Sequence, residues 1–328
     1  MIAPGSSLAN AVRRSRALRH LGSARLRLPL AALALLLLAL AMPPIPLPRA
    51  TSETLVVFDI TQSMDVEDVE IDGALASRIS YAHAGAARML RELPCGSRVG
   101  WGAFTEYRTL VLLAPIEVCG NYGDLLSTLA QVDGRIRWGN ASEIGKGLFW
   151  AMRAAKELPS KPAVVFITDG QESPPLGLSN FPMFEDLAPG QVRGWILGVG
   201  GSIPKPIPRT DAEGQRVGYW RADEVIQRDT PPGAPRSQEH LSALHDAHLR
   251  ALAAQTGFAY APLGAPEALA KAVRDPRLAR RARVPTDLGW IPALAALVLL
   301  AWHFRPDARR GALTVGTPGA ARLPAQRG

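Results

Sequence analysis

The sequence predicts an α/β protein with a doubly wound, mostly parallel sheet and one antiparallel edge strand, flanked by two transmembrane helices. Short apolar runs at 54–58, 162–170 and 194–200 alternate with segments of helical periodicity, which is typical of a parallel sheet covered on both faces. Two further runs, 97–104 and 107–114, are so close together that they predict an antiparallel hairpin. Long apolar segments stand near both ends of the chain.

The first long apolar segment, residues 28–47, predicts a transmembrane anchor. It contains LPLAALALLLLALA and follows a basic stretch, residues 1–27. Its uninterrupted apolar core is short for a span of about 20 residues. The tripeptide ALA at 39–41 fits the small-x-small pattern of a signal-peptide cleavage site, so a removed secretory signal is the alternative. Residues 287–304 predict a second transmembrane helix, followed by a cytoplasmic tail over 305–328.

The net charge of +8 comes from the two ends of the chain. Arginines crowd the residues before 28 and after 304, whereas basic and acidic residues nearly balance in between. Arginines on the outer side of both apolar segments predict that the two ends lie in the bacterial cytoplasm. Residues 50–275 would then form a periplasmic domain attached to the inner membrane. The balanced body, without aromatic–basic repeats or zinc-finger spacings, argues against nucleic-acid binding.

Segments of helical periodicity between the strands predict the helices that cover the sheet. Ser77 stands at an N-cap position and Pro94 ends the first of these helices. The Pro-rich stretch 43–53 predicts a spacer. Residues 201–238 are rich in Pro, Gly and charge and predict an exposed excursion, which is either a partner surface or a floppy insertion. The predicted helices are 77–93, 122–131, 143–158, 241–256 and 266–274, with a short last strand over 258–261.

The two cysteines, Cys95 and Cys119, predict a disulfide. A pair of this kind is commonly bridged in an oxidising compartment, whereas two unrelated thiols are usual in the cytoplasm. A tight hairpin over 97–114 would set Cys95 opposite about residue 116, which is close to Cys119. The hairpin and the periplasmic location therefore both favour the bridge.

Carboxylates and hydroxyls follow two predicted buried strands and precede one predicted helix. Ligands of doubly wound sheets bind beyond the carboxyl ends of the strands, and these side chains should converge there. Their oxygens are hard ligands, with no sulfur or imidazole among them, which favours Mg²⁺, Ca²⁺ or Mn²⁺ over zinc or copper. The candidate metal ligands are Asp59, Thr61, Ser63, Ser142 and Asp169.

Each of these residues also has a simpler interpretation. A Ser before a helix is normally an N-cap, so Ser142 could serve only that purpose. Asp59 could cap a turn or pair with an arginine, and TDG at 168–170 is a common turn sequence. Further carboxylates over 65–72 could be a solvated loop or a second contact for a cation or a partner.

The motifs D-x-T-x-S, S-x-I-G and T-D-G, in this order, resemble the metal-ion-dependent adhesion site of von Willebrand factor A domains over roughly residues 54–262. The family has Ser where this chain has Thr61 and Thr where it has Ser142, and both changes keep the hydroxyl oxygen. The resemblance implies that the hydroxyls ligate the cation directly and that Asp59 and Asp169 act largely through water. It also implies that the cation holds a carboxylate of a partner protein.

A narrower resemblance is to bacterial membrane-anchored proteins that accompany MoxR-type AAA+ ATPases, on the stretch LGVGGSIPKPIPRTDAEGQ. The stretches LPCGSRVGWGAFTEYR and FITDGQESPP are similar to accessories of methanol dehydrogenase maturation, which are linked to calcium insertion. This resemblance implies three kinds of partner: a client such as methanol dehydrogenase, a cytoplasmic MoxR-type ATPase, and other von Willebrand factor A accessories.

The sequence predicts a binding protein rather than an enzyme. It has no Walker motif, dinucleotide fingerprint or nucleophile–base arrangement, so no catalytic residue is predicted. Two alternatives remain open. One is a component of a different MoxR-type assembly or stress system. The other is a metal-dependent hydrolase built on Asp59 and Asp169, for which the sequence offers no base of defined geometry.

Overall fold

The computed structural model describes residues 26–175, 187–211, 213–228, 237–265 and 267–305. The chain divides into two compact units. The larger unit is Pro48–Val284, and the smaller one combines the chain up to Leu47 with the chain from Pro285 onward.

The described residues form thirteen strands and seven α-helices. The strands are β1 (Ile45–Asp59), β2 (Glu67–Ile71), β3 (Ala74–Ser77), β4 (Arg98–Thr105), β5 (Arg108–Glu117), β6 (Ala163–Thr168), β7 (Gly194–Gly198), β8 (Lys205–Pro206), β9 (Pro208–Thr210), β10 (Arg216–Tyr219), β11 (Leu241–Ser242), β12 (Ala259–Pro262) and β13 (Ala279–Thr286). The α-helices are α1 (Arg27–Ala41), α2 (Arg78–Glu92), α3 (Tyr122–Leu129), α4 (Ile144–Glu157), α5 (Asp246–Thr256), α6 (Glu267–Val273) and α7 (Trp290–His303).

The central sheet has the strand order β12-β7-β6-β1-β4-β5, and β13 also pairs with β1. Every pair along this order is parallel except β4 with β5. The predicted mostly parallel sheet with one antiparallel edge strand is therefore confirmed. Phe58 of β1 pairs with Ile167 of β6, so that Asp59 and Asp169 emerge at the same edge of the sheet.

The side chains of β1 alternate between two hydrophobic cores, one on each face of the sheet. Val56 and Phe58 belong to the core that α2, α3 and α6 cover, whereas Leu55 and Val57 belong to the core that α4 and α5 cover. All four are fully buried. A strand that is buried on both faces has a continuous apolar sequence, which is how this strand was predicted.

The first covering helix begins where the sequence predicts. The Ser77 hydroxyl accepts a hydrogen bond from the backbone N–H of Ser80 (3.2 Å), which is the N-cap interaction. The helix leaves its regular conformation at Leu93, immediately before Pro94. A proline disfavours the helical conformation of the residue before it, which explains why the helix ends here.

Two predicted boundaries are wrong. The stretch 43–53 is not a spacer, because from Ile45 onward it belongs to β1, which pairs with β13. The helix predicted over 241–256 begins only at Asp246, because the residues at its predicted start form β11 against β8. Helical periodicity alone could not show either pairing, since both partner strands are distant in sequence.

Cys95 and Cys119 are joined by a disulfide, with their Cα atoms 5.3 Å apart. The bridge lies where β4 begins and β5 ends, because the antiparallel register sets Arg98 opposite Glu117. This end of the sheet is opposite to the one that carries Asp59.

The smaller unit contains α1, of 15 residues, and α7, of 14 residues, which pack against each other. Ala32 and Ala296 are buried, while most of the large apolar side chains of both helices are exposed. A Cβ atom on Gly289 would lie 2.8 Å from the carbonyl oxygen of Ala39, so this close approach requires glycine. Within residues 26–305, as far as they are described, no helix combines the length and apolar character of a membrane span.

Candidate functional site

Asp59 lies at the carboxyl end of β1 and is completely buried. Its Oδ1 accepts hydrogen bonds from the backbone N–H of Thr61 (2.9 Å) and from the Thr61 hydroxyl (2.7 Å). Its Oδ2 accepts a hydrogen bond from the Thr168 hydroxyl (2.6 Å). The Thr61 hydroxyl also lies 3.2 Å from that of Ser63. These hydrogen-bonding partners of the carboxylate are uncharged, so none of them compensates its negative charge.

Asp169 follows β6 directly and is also completely buried. Its Oδ1 accepts a hydrogen bond from the backbone N–H of Gln171 (2.9 Å). Its Oδ2 accepts one from Nη1 of Arg78 (2.5 Å) and one from the Ser242 hydroxyl (3.1 Å). Asp169 is therefore part of an ion pair, unlike Asp59.

Arg78 is the residue of this site that sequence reasoning missed. Its side chain is completely buried, and it donates through Nε and Nη2 to the Asp68 carboxylate (2.9 and 2.6 Å). Nη1 also donates to the carbonyl of Ser63 (3.3 Å). The sequence did contain a signal, because a basic residue in the first turn of a helix opposes the helix macrodipole and needs another reason to be there.

Three of the carboxylates over 65–72 form ion pairs with arginines. Burial raises the pKa of Asp65, and the neighbouring guanidinium opposes that rise. The loop is therefore neither merely solvated nor a second cation contact at these three positions. The ion pairs are Asp68–Arg78 (2.6 Å), Asp65–Arg137 (2.9 Å) and Glu67–Arg216 (3.0 Å).

Ser142 brings an unpartnered hydroxyl to this edge of the sheet. Its backbone N–H and carbonyl both pair with those of Ser173 (2.7 and 2.8 Å), which fixes the loop before α4. The expectation that Ser142 caps this helix is wrong, because Glu143 occupies the N-cap position and Oε2 of the buried Glu172 accepts the N–H of Ile144 (3.1 Å). The Ser142 hydroxyl is buried and has no hydrogen-bond partner among the described residues.

A cavity of about 270 Å³ is lined on one side by Thr61, Ser63 and Ser142. Another part of its wall belongs to the excursion predicted over 201–238, which supplies both apolar and acidic side chains. This part of the wall comprises Ile207, Trp220, Glu224, Val225 and Ile226.

The described part of the excursion is tied to the site by side-chain hydrogen bonds. Nε1 of Trp220 donates to the side-chain carbonyl of Gln62, which stands between Thr61 and Ser63. Arg137 donates to the Thr210 hydroxyl (3.0 Å) through Nη1, and to the carbonyl of Ile60 (2.6 Å) through Nε. This part of the excursion is a wall of the cavity rather than a floppy insertion.

The electrostatic balance of the site leaves Asp59 with uncompensated negative charge. Burial raises the pKa of Asp59 to about 7, and the nearby Asp169 carboxylate adds to the rise, while hydrogen bonds from Thr168 and Thr61 oppose it. A cation beside Asp59 would stabilise the charged form of its carboxylate.

The predicted ligands thus form a linked set. Asp59, Thr61 and Ser63 are joined directly, and Ser142 faces the same cavity. Asp169 is close enough to raise the pKa of Asp59, although its own charge is partly compensated by Arg78. Carboxylate and hydroxyl oxygens suit a hard cation such as Mg²⁺. One of these hydroxyls, that of Ser142, has no hydrogen-bond partner among the described residues.

Comparison with known proteins agrees with the fold. Residues 54–171 match the family described as von Willebrand factor type A domain. The matched range contains Asp59, Thr61, Ser63, Ser142 and Asp169. No curated protein matches the chain.

Solved structures that match the chain include two proteins from Bacteroides. An aerotolerance-related membrane protein of Bacteroides fragilis, solved with several serine substitutions, is 18% identical, with a TM-score of 0.48 over 68% of this chain and 96% of its own. The conserved hypothetical protein BatB of Bacteroides thetaiotaomicron is 20% identical, with a TM-score of 0.48 over 68% of this chain and 95% of its own. The minor pilin PilB of Streptococcus sanguinis is 14% identical, with a TM-score of 0.41 over 70% of this chain and 61% of its own.

Proposed function

We propose that the von Willebrand factor A domain binds one divalent cation and uses it to hold a carboxylate of a protein client. The observation that carries this proposal is the buried, unpartnered hydroxyl of Ser142, which faces the same cavity as Thr61 and Ser63. A buried hydroxyl without a partner costs about 1–3 kcal/mol, so a ligand there would recover free energy.

The cation would be held by Thr61, Ser63 and Ser142, with Asp59 and Asp169 supporting it. Mg²⁺ fits this set of hard oxygens, and Ca²⁺ or Mn²⁺ are the alternatives. Its chemistry would be a directed electrostatic attraction for a client carboxylate. The walls of the cavity, which include Trp220 and Ile226, would add apolar contacts that select the client.

The client is proposed from the sequence resemblance. The stretches around Cys95 and Asp169 resemble MxaL-type accessories of methanol dehydrogenase maturation. On this basis the domain would assist the assembly of methanol dehydrogenase, or its loading with calcium, together with a MoxR-type ATPase and sister von Willebrand factor A proteins. A component of a different MoxR-type assembly is the alternative, and neighbouring genes for dehydrogenase subunits and a cytochrome would favour the former.

A location at the bacterial inner membrane, with the domain in the periplasm, is also part of the proposal. It is supported by arginines outside both apolar segments and by the exposed leucines of α1. The Cys95–Cys119 bridge is consistent with an oxidising compartment.

The client proposal is tested by capture of purified methanol dehydrogenase on the immobilised full chain. We expect binding in Mg²⁺ or Ca²⁺ that is lost in EDTA and in Ser142→Ala. It should be kept in Asp72→Asn, a change at an exposed carboxylate whose positive φ (51°) asparagine tolerates. Equal capture with and without EDTA would contradict a cation-held client. Metal-dependent turnover of phosphoesters would instead favour the hydrolase.

A further inference from the structure

A basic pocket lies at the end of the sheet opposite to the candidate metal site, where β6 and β7 begin. Its volume is about 220 Å³. It contains two of the five lysines of the chain and two arginines. The cationic side chains that line it are Lys156, Lys161, Arg193 and Arg280.

Main-chain carbonyls hold both guanidinium groups of this pocket. Arg280 donates through Nη1 to the carbonyl of Ser160 and through Nη2 to that of Lys161. Arg193 donates through Nη1 to the carbonyl of Arg277 (2.5 Å). A carbonyl orients a guanidinium without cancelling its charge. Each guanidinium has five N–H donors, so several remain for a ligand.

Negative charge near the basic pocket is sparse. In the described part of the chain, the carboxylate that pairs with Arg280 is Glu53, at 3.5 Å, and Glu53 also pairs with Arg98 (3.3 Å). The other three cations of the pocket form no ion pair with any described residue, and all three are exposed to solvent. The basic pocket therefore has an excess of positive charge. Hydrogen bonds to backbone carbonyls orient its two guanidinium groups.

We propose that the basic pocket binds a phosphate group. Guanidinium groups match the oxygens of phosphate with paired hydrogen bonds, and lysines add point charges around them. The phosphate would belong either to the headgroup of an anionic phospholipid or to a soluble phosphate compound. This inference does not depend on the metal site.

The test is a titration of sodium phosphate into the full chain in neutral detergent with EDTA, against sodium chloride at matched ionic strength. We expect saturable binding that weakens about tenfold in Lys156→Gln/Lys161→Asn, because two cations of the pocket are lost. Asparagine is chosen at Lys161 because the residue has a positive φ (46°). The charge-matched control Lys205→Gln/Lys271→Gln removes two exposed lysines elsewhere and should bind as the wild type does.

Two results would overturn the proposal: no saturable response beyond that of chloride, or an equal loss in both double variants. The source of the phosphate is identified by repeating the titration in lipid discs of phosphatidylcholine with or without phosphatidylglycerol. A lipid headgroup is identified if the phosphate response is lost only in discs with phosphatidylglycerol and if the Lys156→Gln/Lys161→Asn variant binds those discs more weakly than the wild type does. An unchanged response identifies a soluble phosphate compound.

Discussion

The two ends of the parallel sheet carry opposite chemistry in opposite surroundings. At the carboxyl end, Asp59 and Asp169 are completely buried among hydroxyls, and the buried Arg78 pairs with Asp169. At the amino end, the cations of the basic pocket are largely exposed. A buried charge that loses its partner destabilises a fold strongly, whereas exposed charges are screened by water and salt and remain available to ligands. Substitution of a charged residue should therefore have very different consequences at the two ends.

The largest expected effect comes from Arg78→Met, because it would leave two buried carboxylates, Asp68 and Asp169, without their cation. Breaking a buried ion pair of this kind costs about 3–5 kcal/mol of the free energy of unfolding. The measurement is denaturant unfolding of the full chain. Arg91→Met, at an exposed position of the same helix, is the control and should change stability by less than about 0.5 kcal/mol. Adding Asp169→Asn to Arg78→Met should restore part of the loss. Equal stability of the two single variants would contradict the comparison.

The next effect belongs to the far end of the sheet, where the disulfide lies. Changing both Cys95 and Cys119 to Ser should lower the free energy of unfolding by about 3.5 kcal/mol, because the unfolded chain gains freedom over the 24-residue separation. Cation binding at the carboxyl end should be unchanged in the folded variant. A loss of cation affinity as large as the loss of stability would show that the two ends are not independent.

A third effect is a pH dependence of stability without cations. The pKa of Asp59 is about 7 in the folded chain against 3.8 ordinarily, so the folded state keeps a proton that the unfolded state has lost. Stability should therefore fall as the pH rises from about 4 to about 7 and level off above, by about 1.4 kcal/mol per pKa unit at most. Asp59→Asn should flatten this slope, as measured by unfolding in EDTA, whereas Asp72→Asn should keep it. If Asp59→Asn kept the pH dependence of stability of the wild type, Asp59 would not be the group that causes it.

The smallest loss of stability is expected for Ser142→Ala, because the hydroxyl makes no hydrogen bond among the described residues. Unfolding in EDTA should show no loss of stability, and a gain of up to about 1–3 kcal/mol, because the change removes a buried hydroxyl without a partner. Cation affinity should nevertheless fall about tenfold, the loss of about 1.4 kcal/mol of binding free energy. Ser127→Ala, at an exposed hydroxyl, is the control. If Ser142→Ala bound the cation with the same affinity as the control, Ser142 would not be a ligand of the cation.

The sequence was sufficient for those parts of the fold that rest on local patterns. Continuous apolar runs predicted β1 and β6, and the short gap between two runs predicted the β4–β5 hairpin. What failed depends on contacts between distant residues. The pairing of β13 with β1, and of β11 with β8, joins segments that no local periodicity can connect.

The same distinction holds at the candidate site. The residue types and their position after parallel strands were enough to assemble Asp59, Thr61 and Ser63. The role of Arg78 was missed because it depends on three-dimensional burial among acids 10 and 91 positions away. That Ser142 caps no helix was equally hidden, because the capping oxygen comes from Glu172 on another loop.

The most direct test of the central claim is calorimetric titration of Mg²⁺ and Ca²⁺ into the full chain in neutral detergent. The wild type should bind one cation per chain. Asp59→Ala and Asp169→Ala should abolish this binding while the protein remains folded by circular dichroism, and Asp72→Asn should bind as the wild type does. A folded wild-type chain that binds neither cation, or an Asp59→Ala variant that binds one with unchanged affinity, would contradict the account.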